Sequence, residues 1–286
     1  MSMARRAAVA QNAYVLHQWS WSETSLIIDL FTREQGRITV VAKGAKRPYS
    51  QLRAVLLPFQ RVLVTLGRQR AEELGPARIS ADEVSDIRTL RGAEFGGLAA
   101  PLPPARLFSG FYLNELLMKL LARGDAHALL FDAYADTLLA LAGAEQTRDE
   151  SAREGAAQAA VRAFELVLLR ETGVLPEFDR ATLTQEPVQP DRAYGLRPEA
   201  GLVAAGGDTA ALSGAHCLAL QAALDSHELA GLREACAAVL PVLKPQLRAL
   251  LHYHLGSAQL RSTSSMQGVR RLLDGATRPV ADEAAD

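Results

Sequence analysis

Residues 31–60 read FTREQGRITVVAKGAKRPYSQLRAVLLPFQ, and this stretch joins six cations, Arg33, Arg37, Lys43, Lys46, Arg47 and Arg53, to the aromatics Phe31, Tyr49 and Phe59. Within RITVVAK, Ile38, Val40 and Ala42 alternate with Arg37, Thr39, Val41 and Lys43. Successive side chains of a strand point to opposite faces, so the alternation predicts one face turned to a core and one partly basic face turned outward. Gly44 and Pro48 suit a protruding connection after that strand. A single-strand groove needs cations that follow phosphates and flat rings on which bases stack, and the stretch supplies both. A solvated basic surface with no ligand is equally compatible with this composition. Phe31 and Phe59 flank apolar runs and read as core. Trp19 and Trp21, two apart in QWSWSET, share a face if extended and suit either base stacking or closure of the barrel, packing being the preferred reading.

Working outward, four further β-type runs surround the stretch or lie within it: NAYVLHQW, SLIIDLFT, RVLVTLG and AEELGPARIS, the last the weakest. Five short strands in about 70 residues, with Gly, Pro or charges between them, predict a small barrel. Helical periodicity takes over near residue 85, with a Pro-rich break, APLPPARL, at 100–107. LFSGFYLNELLMKLLARG predicts a helix ending at Gly124, HALLFDAYADTLLALAG one closed by Gly143, and QAAVRAFELVLLRETG one closed by Gly173. AEQTRDESAREG between the last two reads as a loop or frayed helix start. Residues 174–212, punctuated by prolines and glycines, read as an irregular excursion with a hairpin near Tyr194 to Val203. SGAHCLALQAALD, ELAGLREACAAVL and KPQLRALLHYHLG predict three more helices, the last with Pro245 in its first turn and Gly256 at its end, and SSMQGVRRLL a short final one.

The bulk numbers agree with two units. The chain has 286 residues, and its net charge of −1 hides an asymmetry. Residues 1–80 carry 12 Lys and Arg against 5 Asp and Glu, a balance of +7, and the remainder carries −8. A basic unit therefore precedes an acidic one. No stretch reaches the roughly 18 apolar residues of a membrane span, and the start lacks an apolar core with a cleavage site, so no membrane association and a cytoplasmic location are expected. Cys217 and Cys236 are too few for a disulfide framework.

WSETSLIIDLFTREQGRITVVAKGAKRP followed by LRAVLLPFQ resembles the N-terminal barrel of the RecO family of DNA repair and recombination mediators. SGFYLNELLMKLL, LFDAY, RAFELVLLRETG and YGLRPEAGLV continue the resemblance over about residues 12–273. It implies an α+β multidomain chain: an OB-fold nucleic-acid-binding domain at 1–82, a five-stranded barrel, then an all-α partner-binding domain at 83–274. The excursion at about 174–212 lies within the latter; beyond the resemblance, the acidic residues 275–286 read as a disordered tail. It also implies a DNA-binding surface of Arg33, Arg37, Lys43, Lys46, Arg47 and Arg53, with Lys43 and Lys46 foremost. Arg162 stands where a family arginine receives the acidic tail of single-strand-binding protein; an arginine beside an apolar slot suits a peptide ending in a carboxylate.

The implied partners are single-stranded and double-stranded DNA, single-strand-binding protein, RecR, RecF and, indirectly, RecA, in the nucleoid. The implied activities are RecA loading and annealing of complementary strands. Many RecO-like proteins carry a four-cysteine zinc site after the third helix, but LPEFDRATLTQEPVQPDRAYGL has no cysteine, so no metal and no cofactor are expected. His216, Cys217, His227 and Cys236 restore no ligand spacing. No phosphate loop, nucleophile elbow or H-E-x-x-H helix is present, and a non-enzymatic protein is expected. Two other readings stay open: an OB-fold protein for RNA, and a helical scaffold whose barrel meets no nucleic acid.

Overall fold

The computed structural model describes residues 10–67, 87–97, 101–144, 148–206, 210–256, 260 and 262. Strands β1 (Gln11–Ser20), β2 (Leu26–Thr32), β3 (Gly36–Ala42), β4 (Arg61–Leu66) and β5 (Arg88–Phe95) close a barrel in the order β1-β2-β3-β5-β4, with β4 returning to β1. All pairings are antiparallel except β3 with β5, which is parallel. This is an OB-fold. A five-residue helix, α1 (Gln51–Val55), stands between β3 and β4. The alternation read in β3 holds: Ile38, Val40 and Ala42 join Val15, Leu30, Val62, Val64 and Leu90 in the barrel interior.

The fifth strand corrects the sequence reading. AEELGPARIS lies outside the described residues, and the strand that closes the barrel is Arg88–Phe95, in a region that reads as helical and lies beyond residue 82. Only Leu90 of its eight residues is buried, so its alternation is faint in sequence.

After a turn of 3-10 helix at Pro104–Arg106 come α2 (Leu107–Leu120), α3 (Ala128–Gly143) and α4 (Glu150–Glu171). The polar segment before α4 is a helix start: the Asp149 carboxylate accepts from Ser151 N at 3.0 Å and Ala152 N at 3.3 Å, satisfying donors that a helix end leaves open. Helices α5 (Gly214–Ser226), α6 (Leu229–Ala238) and α7 (Leu240–Leu255) follow the excursion. α7 begins earlier than expected, with Pro241 in its first turn and Pro245 inside the helix. The expected final helix SSMQGVRRLL and the tail 275–286 lie outside the described residues.

The second unit is helical but not all-α. The excursion folds into a small sheet, β6 (Ala193–Arg197) paired with β7 (Gly201–Ala204) and with β8 (Leu212–Ser213), which includes the expected hairpin. Packing and hydrogen bonds to the helices hold its described residues. Phe178, Val188, Tyr194, Leu196, Leu202 and Leu212 enter the main core. Glutamines of the helices satisfy its backbone: Gln221 Oε1 accepts from Phe178 N at 2.8 Å, and Gln246 Oε1 from Leu196 N at 2.9 Å. A Cβ on Gly214 would lie 1.9 Å from Gln189 O, so the middle of the excursion meets the start of α5 too closely for any side chain.

The barrel and the helices share one core. Tyr14, Leu16, Phe31 and Phe59 point out of the barrel and pack with α2, α3 and α4. Phe131 lies 5.3 Å from Tyr14 and 5.5 Å from Phe31, and Tyr134 stands edge-on to Tyr14 at 4.9 Å. Phe31 and Phe59 are thus core residues, as read. The register of β1 slips between Val15 and His17. Asn114 of α2 donates to both carbonyls there, at 3.4 Å to Val15 and 2.9 Å to Leu16, and accepts from Tyr134 at 2.5 Å. A bulge leaves backbone groups without ladder partners, and one buried amide supplies them from the other unit.

Candidate nucleic-acid interface

The basic residues of 31–60 part along β3. At its start, Arg37 is 13% exposed at the side chain and turns into the seam. Its guanidinium donates to the Met118 carbonyl of α2 and, at 3.2 Å, to Asp29, a buried carboxylate also held by Thr39 at 2.5 Å. Beside it Gly36 has φ +63°, and a Cβ there would lie 1.6 Å from Asp125 O. The β2–β3 turn therefore lies flat against the helical unit. Arg33 forms a forked pair with Asp132 of α3, at 3.1 and 2.9 Å, which raises its pKa through that hydrogen bond and the carboxylate's charge. Two of the six cations thus face the helices. Arg37 in particular is a seam residue and not part of an open groove, because a buried carboxylate opposite it claims its charge.

Past the other end of β3, Lys43, Lys46 and Arg47 are exposed together. The connection after β3 is a chain of turns: Ala45 N donates to Ala42 O at 3.4 Å, Arg47 N to Gly44 O at 3.1 Å and Ser50 N to Arg47 O at 3.0 Å. Gly44 takes φ +74° in it, a region that favours glycine. Ala45 is buried against the barrel interior and pins the loop while its neighbours face out. Lys46 fastens the loop to the β1–β2 connection, its backbone donating to Thr24 O and its ammonium to Ser22 O, each at 3.0 Å. Tyr49 is 99% exposed at the tip, and Arg53 is exposed on α1. Lys43 and Arg47 also line an open cleft of about 300 Å³ with Trp21, Val41 and Thr89. The arrangement supplies several positive charges and an uncommitted aromatic face on one surface.

Arg162 sits on α4, its side chain 11% exposed and paired with the fully buried Glu165 at 2.5 Å. Tyr112 of α2 donates to the same Glu165 oxygen at 2.6 Å. Burial raises the pKa of Glu165, with the Arg162 charge opposing, and burial raises that of Tyr112. Arg162 Nε and Glu165 Oε2 have no hydrogen-bond partner among the described residues. The sequence reading missed Glu165; an acid three residues after an arginine on one helix face was the signal for it. Cys217 and Cys236 are buried, and burial pushes each thiol up to about 12. Among the described residues no three His, Cys, Asp or Glu side chains gather as metal ligands, and no helix is long and apolar enough to cross a membrane.

Family models for the N-terminal and C-terminal parts of recombination protein O match residues 3–80 and 104–264. A protein named DNA repair protein RecO from Variovorax paradoxus is 47% identical over 279 residues, covering 95% of this chain and all of that one. The chain belongs to the RecO family. Proteins of the same name from Acidovorax ebreus and Verminephrobacter eiseniae are 47% and 46% identical, over 94% and 95% of this chain and all of their own length. The matched N-terminal region carries the first four barrel strands and the cationic loop, and the C-terminal match carries the helices and the small sheet. Membership of the RecO family places the chain in DNA repair and recombination.

Proposed function

We propose that this chain is a recombination mediator that holds single-stranded DNA on the exposed end of its barrel and single-strand-binding protein on its helical unit. The observation that carries the reading is the clustering of Lys43, Lys46 and Arg47, with Arg53 on α1 nearby, around a fully exposed Tyr49 at the far end of β3 from the seam. Phosphates release counterions to such a cluster, and a base stacks on such a ring without regard to sequence. Arg37 and Arg33 act in this scheme as fasteners between the units.

The acidic tail of single-strand-binding protein would reach Arg162 through the 11% of its side chain left exposed, the guanidinium being oriented by Glu165. One contact to the strand and one to its coat protein, on a single chain, weaken the coat without fuel by raising the effective concentration of each for the other. RecA would then occupy the freed strand, with RecR and RecF as further partners. The same cationic end, holding two strands and screening their repulsion, would promote annealing and tolerate double-stranded DNA. The reaction needs no metal, cofactor or catalytic residue.

The test is a titration of a fluorescent dT oligomer across salt, followed by strand annealing on DNA coated with single-strand-binding protein. Lys43→Glu with Lys46→Glu should weaken binding about tenfold or more and flatten the dependence of log affinity on log salt. Unchanged titrations would remove these lysines from the interface, and an RNA oligomer that displaces dT at equal concentration would make RNA the ligand. Arg162→Glu should abolish capture of the tail peptide while leaving dT binding intact. An unaltered pull-down would remove Arg162.

A further inference from the structure

We infer that the cleft beside Trp21 is a subsite for one unstacked nucleobase of a bound strand, so that the barrel reads an exposed base as well as the sugar-phosphate chain. The inference rests on the reading of the barrel end as a single-strand site and adds a specific pocket to it.

The observation is an apolar cluster on the wrong side of the barrel. Ile27, Val41 and Ile87 are buried outside the barrel's own interior, and the half-buried Trp21 packs against them. Strand alternation explains their position: Val41 points away from the face that carries Val40 and Ala42. Among the described residues no helix adds an apolar side chain to this cluster. Instead Trp21, Val41 and Ile87 line the cleft of about 300 Å³, at the lower end of the roughly 300–1,000 Å³ of small-molecule sites.

The walls have a different chemistry. Ser22, Thr24 and Thr89 line the cleft with hydroxyls, and Lys43 and Arg47 with positive charge. The shape is built, not incidental. Trp21 N donates to Ser25 O at 3.1 Å, Ser25 N to the Ser22 hydroxyl at 3.2 Å, and Lys46 ties this connection to the loop after β3 through Ser22 O and Thr24 O. An aromatic and two branched aliphatic side chains suit the face of a flat heterocycle, hydroxyls suit its donor and acceptor edge, and cations suit the phosphates on either side. A base inside an uninterrupted duplex presents neither face nor pairing edge, so the cleft favours single strands, ends and gaps.

The test uses the full chain carrying Trp19→Phe, which leaves Trp21 as the sole indole. A dT oligomer should quench its fluorescence, and an abasic oligomer of equal length should bind about tenfold more weakly with the same salt slope and little quenching. Trp21→Ala should erase the difference between the two oligomers, and Trp21→Phe should keep it. Because Trp21→Ala could loosen the barrel, Thr24→Tyr supplies a second route: it fills the mouth without touching the core and should have the same effect.

Equal binding and equal quenching by both oligomers would overturn the base subsite while leaving the strand site standing. No binding of either oligomer at low salt would overturn both. A free thymidine nucleotide that displaces the oligomer at equal nucleotide concentration would make the cleft a mononucleotide site and overturn the proposal.

Discussion

The two ends of β3 carry the same kind of residue and put it to opposite uses. At Gly36–Arg37 the strand is pressed against Met118, Leu121 and Asp125 of the helical unit, and a buried carboxylate, Asp29, consumes the arginine's charge. Six residues on, at Lys43, the chain has left the seam, and Lys43, Lys46 and Arg47 stand on a loop held down by the buried Ala45 and by the bonds of Lys46 to the β1–β2 connection. A cation's role is set by what lies opposite it. Sequence spacing makes all six cations of residues 31–60 equivalent, and only the packing of α2 and α3 on the barrel divides them into those that fasten the units and those left exposed.

The contrast breaks most severely at Gly36. Gly36→Ala adds a methyl to a positive-φ turn at 1.6 Å from Asp125 O and should cost about 4 kcal/mol in a urea melt, through backbone strain and displacement of the turn. Arg37→Ala leaves the buried Asp29 without its cationic partner, a loss of about 3 kcal/mol, yet dT affinity measured on the folded fraction should not change. A fall in affinity with stability intact would return Arg37 to the DNA surface.

At the other end the signs reverse. Lys43→Ala with Lys46→Ala should leave the melt within about 0.5 kcal/mol of the parent and make the salt slope shallower by about 1.4, near 0.7 for each lost contact on a single strand. The smallest effect belongs to Arg33→Ala. Its pair with Asp132 is half open to water, so the melt should be unmoved within error, and dT binding should stay within about twofold of the parent.

Much of the barrel was legible because its first four strands have apolar runs bounded by Gly, Pro or charges, and the interior face of β3 follows from strict alternation. β5 was not, because RTLRGAEF buries only Leu90, leaving little periodicity to read. The small sheet of the excursion was half legible: the hairpin from Tyr194 showed itself, whereas the glutamines that hold it come from α5 and α7, 43 and 50 residues away. At the candidate site, the cluster of Lys43, Lys46 and Arg47 is compact in sequence and remains compact in space. The cleft is not: it joins Trp21 to Val41 and Ile87, and a contact among segments so far apart in the chain leaves no local pattern.

The amino-acid order by itself determined the family, the sequence of a barrel and then helices, and the basic loop after β3, since each depends on neighbours within a few residues: alternation, helical stripes, turn residues and charge density. Tertiary structure alone decided which arginines are fasteners, how Asn114 repairs the β1 bulge, what orders an excursion without cysteines, and that Trp21 floors a cleft. Those outcomes turn on burial and on partners distant in the chain, and the free energy of a charge or an amide is set by its surroundings after folding, which residue order does not display.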